Sequence, residues 1–287
     1  MKTKLISLSF LSALLILLSG CSQDETVTEK PATRQLQVVA EQKGFVSTDN
    51  PSTRISYSGA TTTFTSGDAI GVYALDDAGN AVSSISNLKL TYNGTNWVDD
   101  SGNTYLTFVV GGRYFAYYPY SSMAPTVTTG STITTPEAFF ATYISLWSPT
   151  TTQGDLTTFA GYDLMVATAS ESGGEITATQ FKFTFAHTMA MIELQLPQVK
   201  TTNSYNSKVF YKYTFTSHTL YNIANGTYRI LVRPSANTTI SGDLYDGIYR
   251  SGNFSITDAG IDAGNYKIYK DNGQAAGLTT NTVNVTQ

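Results

Sequence analysis

The sequence predicts an all-β fold of two Greek-key β-sandwich domains in series, and three observations support it. Apolar and polar residues alternate with the two-residue period of half-buried strands. Clusters of Gly, Asn, Asp and Pro punctuate the alternating runs, and no segment sustains a helical period. Composition agrees: only 13% of residues are charged, while 19 Tyr, 14 Phe and abundant Thr suit a pleated, half-buried surface better than a helix.

The first strand is predicted over 35–41, where Leu36, Val38 and Ala40 alternate with polar neighbours. After a turn-rich stretch ending at Asn50-Pro51, Arg54-Ile55-Ser56-Tyr57 opens another. Runs over 61–65 and 69–75 follow, parted by Ser66-Gly67-Asp68, and 76–80 reads as a turn. Strands over 89–92 and 96–98 flank Asn93-Gly94, a hairpin signal because both residues tolerate positive φ. Residues 99–103 make the next turn, and strands over 105–109 and 114–118 are joined across Gly111-Gly112.

Residues 123–153 are rich in Thr, Ser and Pro and carry Phe139, Phe140, Tyr143 and Trp147. A loop of that length is unusual in a compact domain, so its aromatics anchor it or it has a surface role. Strands resume over 163–168. Phe181, Phe183 and Phe185 then share one face, whereas Ala190, Ile192, Leu194 and Leu196 have the other parity. A β-bulge or sharp bend near His187 accounts for the change of phase. Strands over 209–215, 228–232, 239–244, 253–256, 266–269 and 282–285 complete the set, divided into domains 35–198 and 199–287.

The N-terminus reads as an address. Lys2 and Lys4 precede an apolar run, 5–18, that is too short for an ordinary membrane span. Leu18-Ser19-Gly20-Cys21 then resembles a bacterial lipobox, with cleavage after Gly20 and lipid, palmitate included, on Cys21, the one cysteine of the chain. Ser22-Gln23-Asp24-Glu25 is similar to the signal that carries lipoproteins of Bacteroidetes-type bacteria to the outer face of the outer membrane. Residues 21–34 otherwise read as a flexible tether. Removing the first 20 of 287 residues takes Lys2 and Lys4 with it, leaving 15 basic against 21 acidic residues. No basic stripe interleaved with aromatics is present, which argues against nucleic acid as a partner. Without a cysteine pair, stability must come from core and sheet pairing.

The residues for catalysis are missing, so no enzyme activity and no cofactor are expected. His187 and His218 are the two histidines, and neither has metal-binding spacing. Asp76-Asp77 and Asp99-Asp100 sit in Gly/Asn turns, where Asp serves local hydrogen bonds, rather than a calcium or acid–base site. Gly111-Gly112-Arg113 lacks the following helix of a phosphate cradle, and no serine lies in a nucleophile elbow. The run 114–120, with Tyr114, Phe115, Tyr117, Tyr118 and Tyr120, is read as core and neighbouring-strand packing, the alternative being a glycan platform.

Read together, these segments resemble a family. Thr53-Arg54 followed by Phe64-Thr65-Ser66-Gly67-Asp68-Ala69-Ile70-Gly71-Val72-Tyr73 is similar to the opening signature of fimbrillin-like lipoproteins of Bacteroidales. Ala116-Tyr117-Tyr118-Pro119-Tyr120, Phe185-Ala186-His187 with the strand after it, and 228–234 resemble later family segments in the same order. The resemblance implies a surface pilus subunit that joins other fimbrial subunits by β-strand addition and is held to the outer membrane through its lipid. In that scheme a trypsin-like protease cuts near an N-terminal arginine, and Arg54 is the candidate. The strand displaced would carry Leu36, Val38 and Ala40, and the donor strand Val283 and Val285. The alternative is a non-polymerising surface lipoprotein that binds a glycan or another host or bacterial surface ligand through exposed aromatics.

Overall fold

The computed structural model describes residues 34–48, 63–196, 199–202, 208–224, 226–246, 249–271, 278–279 and 284–286, and in it the alternating runs become strands. The first ten are β1 (Gln35–Gln42), β2 (Val46–Ser47), β3 (Ala69–Leu75), β4 (Leu88–Tyr92), β5 (Trp97–Val98), β6 (Tyr105–Thr107), β7 (Arg113–Tyr118), β8 (Met165–Ser170), β9 (Gln180–His187) and β10 (Ala190–Gln195). There follow β11 (Val199–Thr202), β12 (Lys208–Phe215), β13 (Tyr221–Ala224), β14 (Thr227–Val232), β15 (Thr238–Asp246), β16 (Tyr249–Asp258), β17 (Asn265–Asp271), β18 (Leu278–Thr279) and β19 (Asn284–Thr286). Three short helices, α1 (Pro136–Phe139), α2 (Ala141–Leu146) and α3 (Leu156–Gly161), interrupt them. The fold is all-β, as the alternation predicts. Among the described residues no helix is long and apolar enough to cross a membrane.

The first lobe is one sheet in the order β5-β4-β3-β7-β8-β9-β1-β6. Every neighbouring pair is antiparallel except β1 with β9. Leu36 and Val38 of β1 share one apolar cluster with Trp97 of β5 near the opposite end of the sheet, so the sheet curls until its two ends approach. The Gln37 amide donates across that seam to Asn96 Oδ1 at 2.6 Å. The outer face presents Tyr73, Phe115, Tyr117 and Val166, and α1 covers it with Phe139 stacked on Phe115, centroids 4.2 Å apart. The aromatics in 123–153 therefore anchor a helical cover. Thr135 caps α1 by accepting from Ala138 N, Pro136 opens it, and Asp155 caps α3.

The second lobe has two sheets, β13-β14-β10-β17-β18 with β2 also on β17, and β11-β12-β15-β16-β19. Ile192, Leu194 and Ile230 of the one share a core with Ile240, Leu244 and Ile256 of the other. The phase change near His187 is the passage between lobes: β9 ends at His187 in the first sheet and β10 begins at Ala190 in the second. Strand β10, which a division at residue 198 assigns to the first domain, pairs with β14 and β17.

Two local expectations differ. Residues 63–65, the described part of the run over 61–65, form a bend in place of a strand, because Asp68 Oδ2 accepts from Thr65 N and draws them into the expected turn at Ser66-Gly67-Asp68. The strands around Gly111-Gly112 do not close on each other: β6 pairs with β1, while β7 lies between β3 and β8. The Tyr114 hydroxyl donates to Thr107 O and accepts from Val109 N, holding that connection over the end of β7.

Candidate assembly surface

Residues 34–48 form a strap that joins both lobes in turn. Along β1, Leu36 and Val38 are buried and Ala40 is half-buried against the same cluster, opposite Phe181, Phe183 and Phe185 of β9. The parallel register runs from Gln37 with Gln180 to Gln42 with Phe185. On its other edge β1 is paired with β6 only over Gln35–Gln37. Beyond that it borders a cleft of about 460 Å³ lined by Thr63, Phe64, Tyr92, Thr95 and Trp97. The outward residues make surface contacts: Glu41 Oε1 lies 2.9 Å from Lys182 Nζ and accepts from Thr184 Oγ1. The Lys182 hydrogen bond lowers the Glu41 carboxyl below its ordinary value.

The strap then crosses to the second lobe. Lys43 N donates to Phe185 O, ending β1, and Val46 N and Thr48 N donate to Gly264 O and Tyr266 O. Between them Phe45 is fully buried with Phe159, Met189, Met191, Leu231 and Tyr266, and its ring stacks on His187 at 3.8 Å between centroids. His187 Nδ1 lies 2.8 Å from Asp163 Oδ1, so this histidine is bonded to a buried carboxylate. Burying Leu36, Val38 and Phe45 stabilises the strap by about 5–9 kcal/mol as an upper estimate.

The outer edge of β17 is shared. Parallel β2 occupies Asn265 and Tyr266, and antiparallel β18 occupies Lys270 and Asp271. Strand β19 closes the other sheet, Val285 opposite Phe254 on β16. Cys21, Arg54 and Val283 lie outside the described residues. The sequence reading found β1 but missed β2, because two residues carry no periodicity and a Lys-Gly-Phe link precedes them.

The other candidate residues have local work. Asp76 and Asp99 accept from backbone and side-chain amides of Asn80 and Asn103, bonds that lower both carboxyls. Arg113 donates to the carbonyls of Gly130, Ser131 and Ile133, tying the long connection to β7. His218 Nδ1 bonds the Ser217 hydroxyl, and burial lowers its pKa. Tyr114, Phe115 and Tyr117 are buried on the two faces of the first sheet and serve packing, while Tyr118 and Tyr120 are half-buried against the same clusters. Among the described residues no three of His, Cys, Asp and Glu group as a metal site.

The described fold is a curled β-lobe and a two-sheet lobe, with β1 of the N-terminal strap paired in the first and β2 in the second. The fimbrillin-like family model matches residues 53–285, and the chain belongs to the fimbrillin-like family. A curated relative from Bacteroides ovatus, named as a candidate fimbrium tip subunit, Fim1C, is 34% identical over 199 residues, which is 69% of this chain. The alignment spans 36% of that relative, so the chain matches about a third of its length. The crystal structure of a fimbrial protein from Bacteroides ovatus superposes with a TM-score of 0.61 at 23% identity, over 84% of this chain and 49% of that one. That likeness bears on the fold.

Proposed function

We propose that this chain is a structural or adhesive subunit of a cell-surface fimbria, without enzymatic activity, exported as a lipoprotein through Cys21 and assembled by protease-triggered strand exchange. One observation carries the reading. Strand β1 is paired along one edge with β9 and over Gln35–Gln37 with β6, yet neither neighbour is joined to it by a short connection. A strand tied by a hairpin cannot be exchanged without unravelling its partner; β1 can be replaced with every other hairpin intact. Arg54 follows the strap in sequence, so a cut there frees Leu36, Val38 and Ala40 together with the rest of the strap. The stretch with Val283 and Val285 is the donor to another subunit, and its pairing beside β16 is the form it takes before donation.

Expression of Arg54→Ala in the producing cell tests this. The variant should fold and reach the surface but be missing from the high-mass ladders that surface fimbriae give on non-boiled gels. Incorporation at the parental level would overturn the assignment of Arg54. Cys21→Ala should abolish lipid labelling and release the protein from the outer membrane.

A further inference from the structure

The strap makes two attachments, and the second one restricts which segment can replace it. Val38 fixes the first lobe by alternation, and seven residues on, Phe45 fills a closed apolar socket whose far wall is the His187 ring. The flanking bonds from Lys43 N, Val46 N and Thr48 N hold the link in register with both Phe185 and Tyr266. A cut after Lys43 would free β1 alone and leave Phe45 in place. A cut after Arg54 frees β1, β2 and the ring together, and opens one continuous track across both lobes.

We propose, resting on the strand-exchange reading above, that the segment which takes this track is selected by an aromatic side chain entering the Phe45 socket, and that it comes from a subunit of different sequence. Residues 272–287, the stretch assigned as donor, contain no Phe, Tyr, Trp or His. An extended segment with only Leu278, Val283 and Val285 as its larger apolar residues can satisfy alternation along β9, but it leaves the socket empty. An empty socket of that kind weakens the hold on the segment strongly, because the walls cannot collapse fully onto it. A cavity of about 570 Å³ borders the strap at Lys43, Gly44 and Val46, so the track also has room for bulkier flanking residues than those it now holds. The occupant is thus an extended peptide of another subunit, with apolar residues two apart followed by an aromatic about seven positions later. This chain's own 272–287 stretch serves an acceptor of different shape.

The experiment uses the full chain with a thrombin recognition sequence placed between Thr48 and Thr63, cut and then titrated with a fluorescein-labelled peptide of residues 35–48. The labelled peptide should enter, and unlabelled parent peptide should displace it. A Phe45→Ala peptide should compete at least about a hundredfold more weakly, as loss of a buried Phe implies. A peptide of residues 272–287 should not compete. As a second readout, the His187 ring protons should be shielded when the parent peptide is seated and return toward unstacked values with the Phe45→Ala peptide. Equal competition by the Phe45→Ala or the 272–287 peptide would overturn aromatic selection while leaving strand exchange intact. Failure of the parent peptide to enter the cut chain would sink strand exchange itself, and the inference with it.

Discussion

The two lobes depend on the strap in different ways. The first is one curled sheet whose inner face packs Leu, Ile, Val and Ala together with Phe, Tyr and Trp, and whose outer face is covered by α1. The second is a pair of sheets closed over Ile, Leu and Val with Tyr213, Phe254 and Tyr269, and its outer face is sealed by Phe45 of the strap and Phe159 of α3. In the first lobe β1 lies inside the sheet, between β9 and β6; in the second, β2 adds two residues to the outer edge of β17. The same segment is therefore an internal part of one lobe and an edge piece of the other. Its removal should open the first lobe and only unseal the second.

The largest expected effect comes from Val38→Asp in the intact chain. Placing an unpaired carboxylate in the inner cluster should cost about 5 kcal/mol, enough to unfold the first lobe. Hydrogen exchange should then show lost protection in β7, β8 and β9 with β15 and β16 still protected. Loss of protection in both together would make the lobes one cooperative unit and break the comparison. Phe139→Ala follows, at about 3–4 kcal/mol, since it removes the ring stacked on Phe115 from the outer face. Thermal unfolding followed by near-ultraviolet dichroism should report it, again in the first lobe alone.

The second lobe has its own test in Asp258, a buried carboxylate that accepts from the Tyr269 hydroxyl and Gly260 N and pairs with Lys267 at 3.1 Å. Burial pushes its pKa up, but the bonds from Tyr269, Gly260 and Lys267 outweigh that and hold it below the ordinary value. A depressed folded-state pKa contributes stability above the unfolded carboxyl pKa, and that contribution is lost as pH falls through the folded value. Asp258→Asn should therefore cost about 2–3 kcal/mol at neutral pH and reduce the loss of second-lobe stability below about pH 4. Denaturant unfolding at pH 7 and pH 3 measures both. An unchanged acid dependence would remove Asp258 from the account.

Legibility in the sequence followed the length of each signal. Strand β3 matches its predicted run of 69–75, and β9 could be read because Phe181, Phe183 and Phe185 keep strict alternation. The helices could not be read, since four to six residues complete at most two turns and give no period to detect. Thr135-Pro136 and Asp155 were nevertheless present as capping signals. Strand pairing was also hidden: nothing local to 35–41 says that its neighbour is β9, some 140 residues onward in sequence. For the assembly surface, Leu36, Val38 and Ala40 were visible, while Phe45 was not, because its partners Met189, Met191 and Tyr266 meet it only through tertiary folding.

The smallest effect is the most discriminating about what holds the strap. Glu41 of β1 and Lys182 form an ion pair at 2.9 Å, with both side chains well exposed. An exposed pair gains little attraction in water and loses side-chain freedom to hold its geometry. Glu41→Gln keeps the shape and the hydrogen bond from Thr184 while removing the charge. Stability should change by no more than about 0.5 kcal/mol, and exchange of the labelled strap peptide should keep the same rate at low and high salt. If Glu41→Gln or added salt instead speeds release more than about tenfold, the strap is held by its surface charge. Apolar burial of Leu36, Val38 and Phe45 would then no longer be what holds the strap in place.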